Sequence, residues 1–145
     1  MALIARLIPA TGLALAFVLA LYSCVPRPAA RRAVMLPDTP AHLPISSGLV
    51  VGNTLYVAGA QAPGGGIRAE TRGTLDKIKQ VVETAGFSMS DVVAVDLYLA
   101  DANDFAAVNE VYRTYFTDPK PARTPIQAGA LINGALIEIS AVAVK

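Results

Sequence analysis

Two ionisable residues stand out by their setting: Arg123 and Glu138, alone as charges in the otherwise apolar run PARTPIQAGALINGALIEISAVAV from Pro121 to Val144. A guanidinium is the side chain best shaped to grip a carboxylate through two parallel hydrogen bonds. A carboxylate partly withdrawn from water can hold a water molecule or move a proton. Glu138 lies among Leu, Ile and Val, where an unpaired carboxylate costs on the order of several kcal/mol. Arg123 is its candidate partner within the chain. The alternative is that Glu138 lies on a solvated strand face, which the same alternation allows.

Other chemistries find little to build on. His42 is the only histidine and falls in a proline-rich stretch, so no Ser-His-Asp or Cys-His arrangement and no histidine-based metal site is expected. Cys24 is the only cysteine, which excludes a disulfide framework or a thiolate cluster. Pro63-Gly64-Gly65-Gly66 has the glycines of a phosphate loop without a Gly-Lys-Ser/Thr ending, and reads as a flexible loop. Asp101 and Asp104 read as caps at a helix start, and Tyr98, Tyr112 and Tyr115 as core or subunit contacts. Of twelve basic residues one is Arg6, leaving eleven against eleven acidic residues, so no large basic face and no nucleic-acid partner is expected.

The elements that must position the pair follow from periodicity. Gly48–Val51 and Leu55–Ala58 read as short strands separated by Gly52-Asn53-Thr54. Leu75, Ile78, Val82 and Ala85 recur at helical spacing within 69–85, with Asp76, Lys77, Lys79, Gln80 and Glu83 on the outer face and Gly86 as the left-handed stop. Residues 92–100 alternate as a strand. A second helix after Asp101 or Asn103 turns Phe105, Val108, Val111, Tyr112 and Tyr115 inward. Thr124–Leu131 and Leu136–Val144 read as a hairpin closed at Ile132-Asn133-Gly134-Ala135, with Glu138 sharing a face with Leu136, Ser140, Val142 and Val144. The order ββαβαββ predicts an α+β fold: one mostly antiparallel sheet with two helices on one face. The uncovered face is too apolar to leave wet, which predicts self-association.

The front of the chain is different. Its 145 residues are 54% hydrophobic, and the excess lies in the uncharged run from Leu7 to Tyr22. Leu21-Tyr22-Ser23-Cys24 is similar to a bacterial lipobox, so 1–23 are expected to be a signal peptide or membrane anchor, with Cys24 lipidated at the periplasmic side of the membrane. Arg27, Arg31 and Arg32 after the apolar run support the alternative, an anchor at the cytoplasmic face of the inner membrane. Residues 24–43 read as a proline-rich tether and 44–145 as the folded domain.

DANDFAAVNEVYRTYF from Asp101 to Phe116, Pro121-Ala122-Arg123, the GALIEISAVAV strand, Val51-Gly52-Asn53, Glu83-Thr84-Ala85-Gly86 and Asp91-Val92-Val93 together resemble the RidA/YjgF/UK114 family of reactive-intermediate deaminases, over about residues 44 to 144. The resemblance implies a chorismate-mutase-like α+β domain, a homotrimer with ligand clefts between subunits, and hydrolysis of imines and enamines without metal or cofactor. Arg123 matches the family's carboxylate-binding arginine and Glu138 the glutamate that positions or protonates through water. Elsewhere the chain departs from the family pattern. Pro-Tyr-Ser reads Pro44-Ile45-Ser46, Ser-Gly-Gln reads Ala58-Gly59-Ala60, and a cysteine two after the arginine is Pro125. The loop 59–71 is also shorter. This thinner polar shell, with the leader, favours a membrane-tethered accessory or binding subunit of a periplasmic complex, for example a quinone-linked dehydrogenase. The alternative is a cofactor-free 2-iminobutanoate/2-iminopropanoate-type deaminase that uses Arg123 and Glu138 as catalytic and ligand-binding groups.

Overall fold

The structure, a computed structural model, describes residues 29–145. The leader and Cys24 lie outside the described residues. Six strands form one sheet: β1 (Arg31–Val34), β2 (Gly48–Val51), β3 (Thr54–Ala60), β4 (Val92–Leu99), β5 (Ala122–Gln127) and β6 (Ile137–Val144), in the spatial order β1-β2-β3-β6-β4-β5. Every neighbouring pair is antiparallel except β4 and β5, which run parallel. Two helices, α1 (Ile67–Thr84) and α2 (Phe105–Tyr112), complete the expected α+β architecture.

Helix α1 forms where its periodicity places it. Leu75, Ile78, Val81 and Val82 are buried, and each fully buried aliphatic side chain of this size contributes about 1.5–3 kcal/mol. Gly86 ends it at φ 87, donating to Glu83 O while Phe87 donates to Val82 O, the paired bonds that satisfy a helix's last carbonyls. In β6, Ile137, Ile139, Ala141 and Ala143 face the helices and are buried, and Glu138, Ser140, Val142 and Val144 face the other way. That second face leaves Tyr56 51% exposed, and Ile126 and Val144 are exposed as well.

Two expectations are corrected. The hairpin of 124–131 with 136–144 does not form: β6 is flanked by β3 and β4, and β5 pairs instead with β4, Arg123 opposite Val95. The turn signal itself is real, since Asn133 (φ 61) and Gly134 (φ 68) take left-handed conformations in the 3-10 turn Ile132–Gly134. It redirects the chain across the sheet rather than folding one strand onto the next. Pro125 also suits an edge position, having no N–H to give a second neighbour. Next, the segment read as a tether carries a strand. Residues of β1 pair with β2 from Arg31 opposite Val51 to Val34 opposite Gly48, and Val34 and Leu36 are buried. Arg32 Nη2 donates to Ala85 O at 2.7 Å, closing the negative end of α1.

Candidate functional site

Arg123 reaches its position through the β4–α2–β5 crossover. Being opposite Val95 in a parallel pair, it shares Val95's helix-facing side of the sheet. Its guanidinium carbon lies 4.6 Å from the ring centroid of Tyr112 and 5.2 Å from that of Phe105, both on α2. Such cation–π contact contributes about 0.5–2 kcal/mol and holds the guanidinium in place without consuming its N–H donors. Arg123, Tyr112, Asn109, Arg113, Lys120 and Pro121 line a cleft of ≈ 270 Å³. The Tyr112 hydroxyl is buried with no hydrogen-bond partner among the described residues. Burial pushes its phenol up to about 12, against the pull of the Arg123 cation.

Glu138 is on the opposite side of the sheet, in its interior rather than at its edge. It pairs with Tyr98 of β4 and is half-buried. Gln61 Nε2 donates to Glu138 Oε2 at 2.6 Å, and Asn133 Nδ2 donates to Gln61 Oε1 at 3.3 Å, so the amide is oriented from both ends. The Gln61 carbonyl accepts from Lys77 Nζ at 3.0 Å. A bulge makes this possible: Val57 is opposite Ala141 but Ala60 is opposite Ile139, so β3 carries one extra residue. Gly59 completes the setting, because a Cβ there would overlap Glu138 Oε1. The carboxylate lies directly on the glycine backbone.

The expected ion pair between Arg123 and Glu138 is therefore not made within the chain. Neither residue is in any salt bridge among the described residues, and the sheet lies between them. The reason is register: Arg123 is level with Val95, which faces the helices, and Glu138 with Tyr98, which faces the other way, with β4 between their strands.

Three contributors escaped the sequence. Gln61 restores an amide that Ala58-Gly59-Ala60 lacks, one residue later than a regular strand would place it; the signal was the extra residue before Pro63. The Phe105 and Tyr112 platform was assigned to core. Glu70, 4% exposed, accepts from Gly64 N at 2.9 Å and Leu136 N at 2.7 Å, so it ties the loop after Gln61 to the approach of the Glu138 strand. A buried carboxylate satisfied by two backbone amides is a positioning device.

A family model described as endoribonuclease L-PSP matches residues 37–145. The chain is 42% identical over 110 residues to a RutC family protein of Pyrococcus horikoshii, covering 70% of this chain and 87% of that one. It is 36% identical over 124 residues to the 2-iminobutanoate/2-iminopropanoate deaminase of Capra hircus, covering 79% of this chain and 90% of the relative. The crystal structure of RidA from an Antarctic Psychrobacter superposes with a TM-score of 0.73 at 32% identity, covering 79% of this chain and 100% of that one.

Proposed function

We propose, on the premise that the chain belongs to the RidA/YjgF/UK114 family, the one whose model is described as endoribonuclease L-PSP, that it hydrolyses 2-imino carboxylates and their enamine tautomers without a cofactor. The observation that carries this reading is the Arg123 guanidinium, which has no hydrogen-bond or salt-bridge partner among the described residues and lies over Tyr112 and Phe105 beside an open cleft. That is a carboxylate receptor without a protein carboxylate in it.

Glu138 supplies the other half. A water accepted by its carboxylate adds to the C=N carbon, giving a carbinolamine. Glu138 takes one proton from that water and passes it to nitrogen as the carbinolamine forms. It then takes the carbinolamine hydroxyl proton and passes it to the amine nitrogen as the C–N bond breaks and C=O forms, releasing ammonia and a 2-oxo acid. Gln61 and Gly59 fix the carboxylate's position for both transfers. Because Arg123 and Glu138 face opposite sides of the sheet, the shared site is one between copies of the chain, in keeping with the trimer that the family resemblance implies. The exposed Tyr56, Ile126 and Val144 are the surface for that assembly.

A non-catalytic accessory subunit is the reading the sequence favours, on the thinner polar shell and the leader together. Gln61 refills part of that shell, and the Capra hircus relative is a 2-iminobutanoate/2-iminopropanoate deaminase. Tethering through the leader and Cys24 concerns where the domain works and is independent of this chemistry. The ribonuclease wording of the family description has less to rest on, since the sequence has one histidine and a net charge of +1.

The test is release of ammonia and 2-oxo acid from imines generated in situ by an amino-acid oxidase, with the full chain added. Acceleration over buffer is expected, and loss of it by about 10²–10⁴-fold in Arg123→Ala, the size of two charge-assisted hydrogen bonds. A wild-type chain no faster than buffer would sink the reading.

A further inference from the structure

Next to the seat of Glu138 is a second cavity, of ≈ 190 Å³, between α1, the end of β3 and the loop that joins β1 to β2. Its apolar wall is made by Leu36, Pro40, Leu43, Ile45, Ala58 and Val81. Gly59 and Gln61, the two residues that seat the Glu138 carboxylate, form its inner end. The cavity thus shares Gly59 and Gln61 with the seat of Glu138.

Its polar groups are already engaged with one another. Thr39 Oγ1 and Ser47 Oγ are 2.6 Å apart, Ser47 Oγ also accepts from Leu36 N at 3.1 Å, and Lys77 Nζ donates to the Gln61 carbonyl. Asp38 is exposed at the mouth, where water solvates it. Apart from the Lys77 ammonium, what remains for an occupant is hydrocarbon. Leu43 and Ile45 present it 42% and 50% exposed, an arrangement that favours covering by something apolar. The volume exceeds the about 150 Å³ that suffices to enclose a six-carbon ring.

We infer that this cavity is the side-chain subsite, and that it selects 2-imino carboxylates bearing an aliphatic side chain of four or more carbons over those bearing a methyl or ethyl group. The inference rests on the imine-hydrolase reading of the same site. A substrate whose carboxylate is on Arg123 and whose imine carbon is beside Glu138 directs its side chain towards Gly59 and the apolar wall. A methyl group there leaves the cavity wet. An isobutyl group replaces that water with contacts to Leu43, Ile45 and Val81. Single methylenes in apolar pockets commonly discriminate by about tenfold or more, so a difference of three carbons gives at least about tenfold.

Two measurements on the purified full chain separate this inference from the reading beneath it. One is the ratio of kcat/KM for the imine from leucine to that from alanine; the other is the ratio of Kd values for the unreactive 2-oxo acids 4-methyl-2-oxopentanoate and pyruvate. At least tenfold preference for the larger member is expected in both, falling towards one in Ala58→Leu, which fills the cavity. Leu43→Asp, on an exposed loop, provides the same test should Ala58→Leu fail to fold. If 4-methyl-2-oxopentanoate binds no tighter than pyruvate, the subsite inference is overturned whatever the catalytic result. If the binding preference holds and no imine is hydrolysed, the subsite stands and the proposed activity falls.

Discussion

The two halves of the candidate site hold their charges by opposite means. Arg123 sits on an edge strand against aromatic faces, 4.6 and 5.2 Å from ring centroids, and among the described residues none takes a hydrogen bond from its N–H groups. Glu138 sits on an interior strand and is fixed by a hydrogen bond to one carboxylate oxygen, with glycine backbone beneath the other. A group that must bind a ligand is best held by contacts that do not consume its donors. A group that must move protons is best held at a fixed point while keeping an oxygen free. That division of labour distinguishes a prepared site from an ion pair left over as structure, in which each charge would have satisfied the other.

The sharpest way to break the comparison is to disable one half at a time. Arg123→Ala and Glu138→Gln are each expected to lower kcat/KM by about 10²-fold or more, the first chiefly through KM and the second chiefly through kcat. Refolding the two inactive proteins together is then expected to restore about a quarter of wild-type activity, because a site drawing one residue from each of two copies is intact in that share of random pairings. No recovery would place both residues in one subunit's site and remove the case for a shared cleft.

A smaller effect tests the seat of Glu138. Gly59→Ala, which sets a Cβ against Oε1, is expected to lower kcat by about tenfold with the thermal midpoint nearly unchanged, because the carboxylate can swing away while the strand stays paired. A kcat equal to wild type would show that the glycine is there for the bulge alone.

The smallest effects concern the Arg123 platform. Tyr112→Phe keeps the ring and removes a buried hydroxyl without a partner, so stability is expected to hold or rise by about 1 kcal/mol, with KM unchanged. Tyr112 and Tyr115 both have phenols raised from 10.0 to about 12, the first by burial and the second by burial followed by its hydrogen bond to Asp76. A folded-state value above the unfolded one stabilises fully below pH 10 and is lost as pH rises through about 12. Near-ultraviolet phenolate absorbance should therefore show late-titrating tyrosines, with one fewer in Tyr112→Phe, and unfolding should set in over the same range.

Much of the scaffold was legible because it depends on local periodicity. Leu75, Ile78, Val82 and Ala85 are all buried as their spacing requires, and Ile137, Ile139, Ala141 and Ala143 alternate inward as a strand should. Pairing partners were not legible, because a turn such as Asn133-Gly134 states that the chain bends without stating which strand it meets. The proline count hid β1, since a four-residue edge strand needs only alternate backbone groups that prolines elsewhere do not disturb. In the site, residue types pointed to Arg123 and Glu138, whereas Gln61 depends on a bulge signalled only by one extra residue before Pro63, and Phe105 and Tyr112 depend on a crossover that no spacing in the sequence encodes.

The position of β6 bears on how the protein comes to be folded. It is last of the described elements in chain order yet lies inside the sheet, with β3 on one side and β4 on the other. The Arg123 half needs only a neighbouring strand and helix, and can assemble as soon as that crossover exists. The Glu138 half joins residues 77 apart in sequence, Gln61 and Glu138, a closure whose entropy must be met before any contact rewards it. On the ribosome, until β6 emerges, the chain carries two unsatisfied strand edges at the centre of its future sheet. Its exposure to mispairing is therefore set by how quickly the last strand arrives.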